Sequence, residues 1–164
     1  MYPKGMPSLM TRSARLMIIL TMSVISAVAY AQTKAVPAKP HLTVFKSPTC
    51  GCCAKWVEYM QANGFTAAVT NMPDVSPVKI QNGLPPKLAS CHTTLVGGYV
   101  IEGHVPVSDV RRLLKEKPAG VAGLAAPGMP AGSPGMDVPN SPPYDIIAFD
   151  KKGGTRVYST QKPK

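Results

Sequence analysis

Four thiols set the chemistry open to this 164-residue chain, and three of them, Cys50, Cys52 and Cys53, fall within the stretch SPTCGCCAKW. They make three overlapping pairs: Cys50 with Cys53 as C-x-x-C, Cys50 with Cys52 as C-x-C, and the vicinal Cys52 and Cys53. Only the first has the usual spacing of a thiol redox pair. A third thiolate inside such a loop competes for the disulfide and scrambles a two-electron exchange, so Cys52 is better explained as an extra metal ligand. The fourth thiol, Cys91, is followed directly by His92. Clustered soft thiolates suit Cu(I) or Zn(II), whereas hard ions prefer oxygen donors. Zinc is usually held by two C-x-x-C knuckles, and this chain has one crowded cluster and a single distant cysteine. Thioether is a usable ligand for Cu(I) and a poor one for zinc, and the segment GMPAGSPGM supplies Met129 and Met136. The same methionines also read as apolar pegs fastening a loop to the core. His92 and His104 are candidate imidazole ligands, while His41 opens a strand and reads as exposed. A disulfide from Cys91 to one of the other three is the alternative that an oxidising compartment permits.

The compartment follows from the first 31 residues. Arg12 and Arg15 precede an apolar run from Leu16 to Ala29, and Ala29-Tyr30-Ala31 satisfies the small-residue rule for signal-peptidase cleavage. The run is shorter than the roughly 20 residues that a spanning helix needs. The expectation is therefore a signal peptide over residues 1–31 cleaved after Ala31, export to the periplasm, and no stable membrane anchor afterwards. Cleavage leaves 133 residues, enough for one domain with a modest core. Lys4, Arg12 and Arg15 leave with the leader, so 15 basic residues remain against 8 acidic ones, a net +7. Those charges are scattered, and no aromatic residues interleave with them in a patch, which argues against nucleic acid as a partner. Residues 32–40 read as a short Pro-, Lys- and Ala-containing tether, and residues 41–164 as the folded domain.

The elements that must position the thiols come next. His41 to Phe45 is a strand by its β-branched and apolar content and stops at Ser47-Pro48. A helix from Thr49 or Cys50 to Asn63-Gly64 carries Cys53, Val57 and Met60 at three- and four-residue spacing, with Trp56 extending that face. Cys50 then lies near the helix N-cap and Cys52 and Cys53 in its first turn, where free N–H groups and the helix dipole stabilise thiolate; Lys46 and Lys55 push the same way. Phe65 to Thr70 returns as a strand, and Ser76-Pro77 reads as the N-cap and first turn of a short helix ending at Asn82-Gly83. Thr93 to Val96 and Tyr99 to Ile101 form a hairpin about Gly97-Gly98. A helix begins at Pro106 and stops at Pro118. Residues 119–143, dominated by Gly, Pro and Ala, read as an irregular loop that is either functional or mobile. Tyr144 to Phe149 and Thr155 to Tyr158 close the chain as a hairpin. The fold class is α/β.

The strand followed by Cys50-Gly51-Cys52-Cys53 resembles the thioredoxin-like active site, in which the loop entering the third strand faces the active-site helix; here that loop is PPKLASCHTT, with Cys91-His92 just before the strand. The expected fold is thus a thioredoxin-like single domain with an added Gly/Pro-rich loop and a C-terminal β-hairpin. More specifically, LTVFKSPTCGCCAKW, LASCHTTLVGGYVIEGHVP and GMPAGSPGM, in that order over residues 41–160, resemble the CopG-type periplasmic copper-resistance proteins. The resemblance implies copper at Cys50, Cys52, Cys53 and Cys91, with several Cu(I) ions and a role in copper redox handling. His92, His104, Met129 and Met136 remain candidates from ligand chemistry. The leading expectation is a periplasmic Cu(I)-binding protein whose four thiolates share more than one ion and contribute to copper resistance by sequestration or by cycling Cu(I) and Cu(II). Both storage and turnover as a copper oxidoreductase fit it, and other periplasmic copper-handling proteins would be its partners. The alternative is a thiol:disulfide oxidoreductase with Cys50 as nucleophile and Cys53 as resolving thiol. A third reading is a disulfide-stapled domain that binds a protein partner.

Overall fold

The structure, a computed structural model, describes residues 38–162. The expected leader and most of the tether lie outside the described residues. Strand β1 (His41–Lys46) is followed by helix α1 (Gly51–Ala62), strand β2 (Thr66–Asn71), helix α2 (Ser76–Gln81) and a 3-10 turn at Pro86–Leu88. Strands β3 (His92–Val96) and β4 (Tyr99–Glu102) form the expected hairpin, and helix α3 (Val107–Glu116), β5 (Gly123–Ala125), β6 (Tyr144–Phe149) and β7 (Thr155–Gln161) complete the chain. No helix among the described residues is long and apolar enough to cross a membrane.

One seven-stranded sheet, in the order β2-β1-β3-β4-β5-β6-β7, organises these elements into a mixed α/β single domain. The pairs β1/β2 and β4/β5 are parallel and the others antiparallel. Side chains alternate across a strand, so neighbouring residues of the central strands enter different clusters. Ile101, Leu124 and Ala148 join Trp56, Val57, Met60, Val110 and Leu113 of α1 and α3. Val100, Ala125 and Phe149 pack instead with Leu84 and Leu88, which follow α2. Each fully buried large apolar side chain contributes about 1.5–3 kcal/mol, and the helical cover on the first face is what fixes α1 against the sheet.

The structure corrects the reading of residues 119–143. Within that stretch Gly123–Ala125 is a strand, fully buried, that joins β4 to β6. Its glycine is required by space: a Cβ at position 123 would collide with the Val100 carbonyl and lie 2.6 Å from the Phe149 ring. A smaller correction concerns α2, which is capped at Val75 rather than Ser76; the Asp74 side chain accepts the Ser76 N–H at 2.8 Å instead. Lys46, read as a flanking charge, is the last residue of β1 and is buried, its ammonium donating to the Ser47 carbonyl at 3.0 Å.

Candidate metal centre

Strand direction brings the chemically active residues to one end of the sheet. β1 ends at Lys46 and β3 begins at His92, and the two are antiparallel partners with Lys46 opposite His92. β4 runs back along β3 with Glu102 opposite Thr93, so His104, two residues beyond, returns to the same end. Because β5 runs parallel to β4, it delivers the Gly/Pro-rich segment after Ala125 there as well. That segment is seated directly on α1: Gly135 has φ +84°, and a Cβ on it would lie 2.8 Å from the Cys52 carbonyl oxygen and 2.9 Å from the Trp56 nitrogen. The loop therefore covers the helix start.

Helix α1 begins as the spacing predicts. Cys50 is its N-cap in extended conformation, and Cys52 and Cys53 lie in a first turn without acidic residues. The sulfurs of Cys50, Cys52, Cys53 and Cys91 all lie within 4.8 Å of one another. Cys50 and Cys53 form a disulfide, whereas Cys52 and Cys91 are free thiols; Cys52 Sγ is 3.4 Å from Cys50 Sγ. A second group overlaps the first, in which Cys53, Cys91, His92 and His104 place one ligand atom each within the same 4.8 Å. Cys91 Sγ joins the two groups, lying 3.0 Å from His104 Nε2 and 3.3 Å from His92 Nδ1.

The histidines are prepared differently. His104 Nδ1 donates to the Pro134 carbonyl at 2.8 Å. With its proton there, the ring presents Nε2 as a lone pair toward Cys91, which is how a backbone carbonyl orients an imidazole ligand. His92 is fully buried, stacks at 4.6 Å from Trp56 and 5.1 Å from His104, and its Nε2 has no protein partner. Burial, with His104, Lys79 and Lys46 nearby, lowers the His92 pKa well below its ordinary value, and burial lowers that of His104. Both rings are then neutral, the form that coordinates metal. Burial together with Cys52 pushes the Cys91 pKa up to about 12, the opposite of the thiol activation expected for the three cysteines at the helix start. Cys91 is thus neutral near pH 7, and a metal ion held there would displace its proton to solvent as the sulfur became a ligand.

Of the sequence candidates, Cys50, Cys52, Cys53, Cys91, His92 and His104 converge. Met129 is exposed at a position with φ +55°. At Met136 the backbone is engaged, its N–H donating to Ser133 and its carbonyl accepting from Gly132, each at 2.8 Å. His41 is exposed and bonds Thr66 Oγ1 at 2.9 Å, at the opposite end of β1 from the cluster. The sequence reading passed over three supports. Trp56 walls the site and donates its indole N–H to the Val105 carbonyl at 3.0 Å; the Pro134 carbonyl orients His104; and Glu102, fully buried, sits behind Cys91. An acidic residue closing the apolar strand YVIE was the available signal for the last.

The family described as "Protein of unknown function, DUF411" matches residues 88–136, which hold Cys91, both site histidines and the covering loop. No curated protein matches the chain. Two solved structures do: "Copper resistance protein copG- Form 2", at 34% identity and a TM-score of 0.71 over 76% of this chain and 99% of that one, and "Copper resistance protein copG- Form 1", at 35% identity and the same TM-score over 77% and 99%. Agreement of that extent in both sequence and backbone, over nearly the whole of the solved chains, means that this chain belongs to the CopG family of copper resistance proteins.

Proposed function

We propose that the chain is an exported, periplasmic Cu(I)-binding protein that contributes to copper resistance, holding more than one Cu(I) ion on the thiolates of Cys50, Cys52, Cys53 and Cys91 once a thiol reductant has opened the Cys50–Cys53 disulfide. His104 contributes Nε2 as an auxiliary ligand, and His92, Met129 and Met136 are further candidates. The observation that carries this reading is the convergence of four sulfurs within 4.8 Å of one another, a softer and denser donor set than a dithiol exchange reaction uses. The relatives' name supports copper as the metal. The order β2-β1-β3-β4, with α1 between β1 and β2 and α3 after β4, supports a thioredoxin-like core to which β5, β6 and β7 are added. In this reading the leader is residues 1–31, cleaved after Ala31, and residues 32–40 tether the domain. Copper is either sequestered or cycled between Cu(I) and Cu(II), and it passes to or from other periplasmic copper-handling proteins.

The test is an anaerobic Cu(I) titration of the reduced mature chain against a competing chelator, beside the Cys52→Ser variant. The expected result is tight binding of more than one copper per chain, weakened at least about tenfold, or about 1.4 kcal/mol, in the variant. Unchanged affinity in Cys52→Ser sinks the cluster. The Cys50–Cys53 disulfide favours one second reading, a thiol:disulfide oxidoreductase. It requires Cys50→Ser to abolish exchange with a disulfide substrate while Cys52→Ser and Cys91→Ser retain most of it.

A further inference from the structure

Behind Cys91 lies a buried polar cluster that sulfur chemistry does not use. Glu102 ends β4 with no exposed surface. Its Oε1 accepts the Ser90 backbone N–H at 2.6 Å and also meets the Lys79 ammonium of α2. Its Oε2 accepts the Thr93 hydroxyl at 2.7 Å, and Lys79 donates to the same hydroxyl at 3.0 Å. Burying a carboxylate is costly unless it is paired and hydrogen-bonded, and even a well-paired buried ion pair is weak evidence of added stability over apolar side chains of similar volume. What the carboxylate does hold is position. Ser90 immediately precedes Cys91, and the chain just beyond Glu102 closes on it from the other side: a Cβ on Gly103 would lie 2.5 Å from Ser90 Cβ. Gly103 N–H in turn donates to the His92 carbonyl at 2.9 Å. The backbone carrying Cys91 is therefore gripped between a carboxylate and a glycine, one residue before the sulfur that joins the cysteine cluster to His104.

We propose that Glu102, held in place by Lys79, is a positioning residue for Cys91, clamping the Ser90 N–H so that Cys91 Sγ faces both the α1 cysteines and His104 Nε2. The proposal rests on the reading that this cluster binds Cu(I), and its test separates the two. Cu(I) affinity of the reduced full chain is measured by chelator competition for wild type, Glu102→Gln, Glu102→Ala and Glu102→Asp, and for Glu102→Ala combined with Cys91→Ser. Gln keeps an acceptor for Ser90 and is expected within about threefold of wild type, whereas Ala weakens binding at least about tenfold. Asp keeps the charge but is one methylene too short to reach Ser90; it is expected to resemble Ala and serves in its place if Ala does not fold. Acting through Cys91, the substitution costs nothing further once Cys91 is Ser. Equal losses with and without Cys91, or no loss in Ala and Asp, overturn the proposal. The second readout needs no copper: the rate at which iodoacetamide alkylates Cys91, followed by peptide mass spectrometry, is expected to rise several-fold in Ala and Asp but not in Gln, and unchanged rates overturn the clamp. A wild type that binds no Cu(I) overturns the copper reading alone and leaves the alkylation result to decide the clamp.

Discussion

Trp56 shows what one side chain of α1 contributes beyond area. Its ring lies against His92 and its N–H closes on Val105, the residue after His104, so it fixes the distance between the helix and the segment bearing that histidine. Trp56→Phe keeps an aromatic wall but strands the Val105 carbonyl and leaves a void; the expected loss is about 1–3 kcal/mol, read as a lower urea midpoint at unchanged slope. Gly135 is the converse case, a residue chosen for what it lacks. Its positive φ and its contact with the backbone of Cys52 and Trp56 leave no space for a methyl group. Gly135→Ala is expected to cost about 1–3 kcal/mol by strain and overpacking, and thermal unfolding at wild-type temperature would show that the loop is not seated on α1.

Among elements, α3 is tied to the edge strand β7 through Asp109, whose Oδ2 accepts from Ser159 at 3.0 Å and Gln161 at 2.8 Å while Arg112 approaches Oδ1 at 3.4 Å. Burial raises the Asp109 pKa above the usual 3.8, the Ser159 bond and Arg112 acting the other way. The folded chain therefore holds this proton more tightly than the unfolded chain. Its stabilising contribution is complete below about pH 3.8 and is lost as pH rises through the folded value. Relative to Asp109→Asn, wild-type stability is expected to fall between acid and neutral pH; a difference that stays flat in parallel denaturation series contradicts this. The elements also show what the sequence made legible. α1 was readable because Cys53, Val57 and Met60 repeat at helical spacing, and the β3–β4 hairpin because Gly97-Gly98 separates two apolar runs. β5 was not, since the three residues Gly123-Leu124-Ala125, all buried, are too few to display either helical or alternating periodicity. Cys91 could be placed opposite α1 because it precedes a strand. Glu102 could not be assigned to it, because that contact depends on the β3–β4 register and on α2 folding Lys79 back over the sheet.

At the scale of the molecule, the hairpin β6–β7 completes the sheet beyond the half that carries the cysteine and histidine cluster. β5 pairs only three residues with each neighbour, and Phe149 of β6 packs over Ala125 and Val100. A chain ending at Pro143 would leave β5 as a short apolar edge with its partner missing. It is expected to lose cooperative unfolding and to aggregate, and a sharp urea transition in that truncated chain would instead mark the first half as an independent unit. The site itself draws on positions as distant as Cys50 and Pro134, so most of it exists only after long-range pairing. Its disulfide is the exception. Cys50 and Cys53 are three residues apart, and closing so short a loop demands little chain entropy. In the oxidising compartment that the proposed function assigns, an unfolded chain would close this bond before β3 had brought Cys91 within reach, so that copper on all four thiolates would first require a two-electron reduction of that bond.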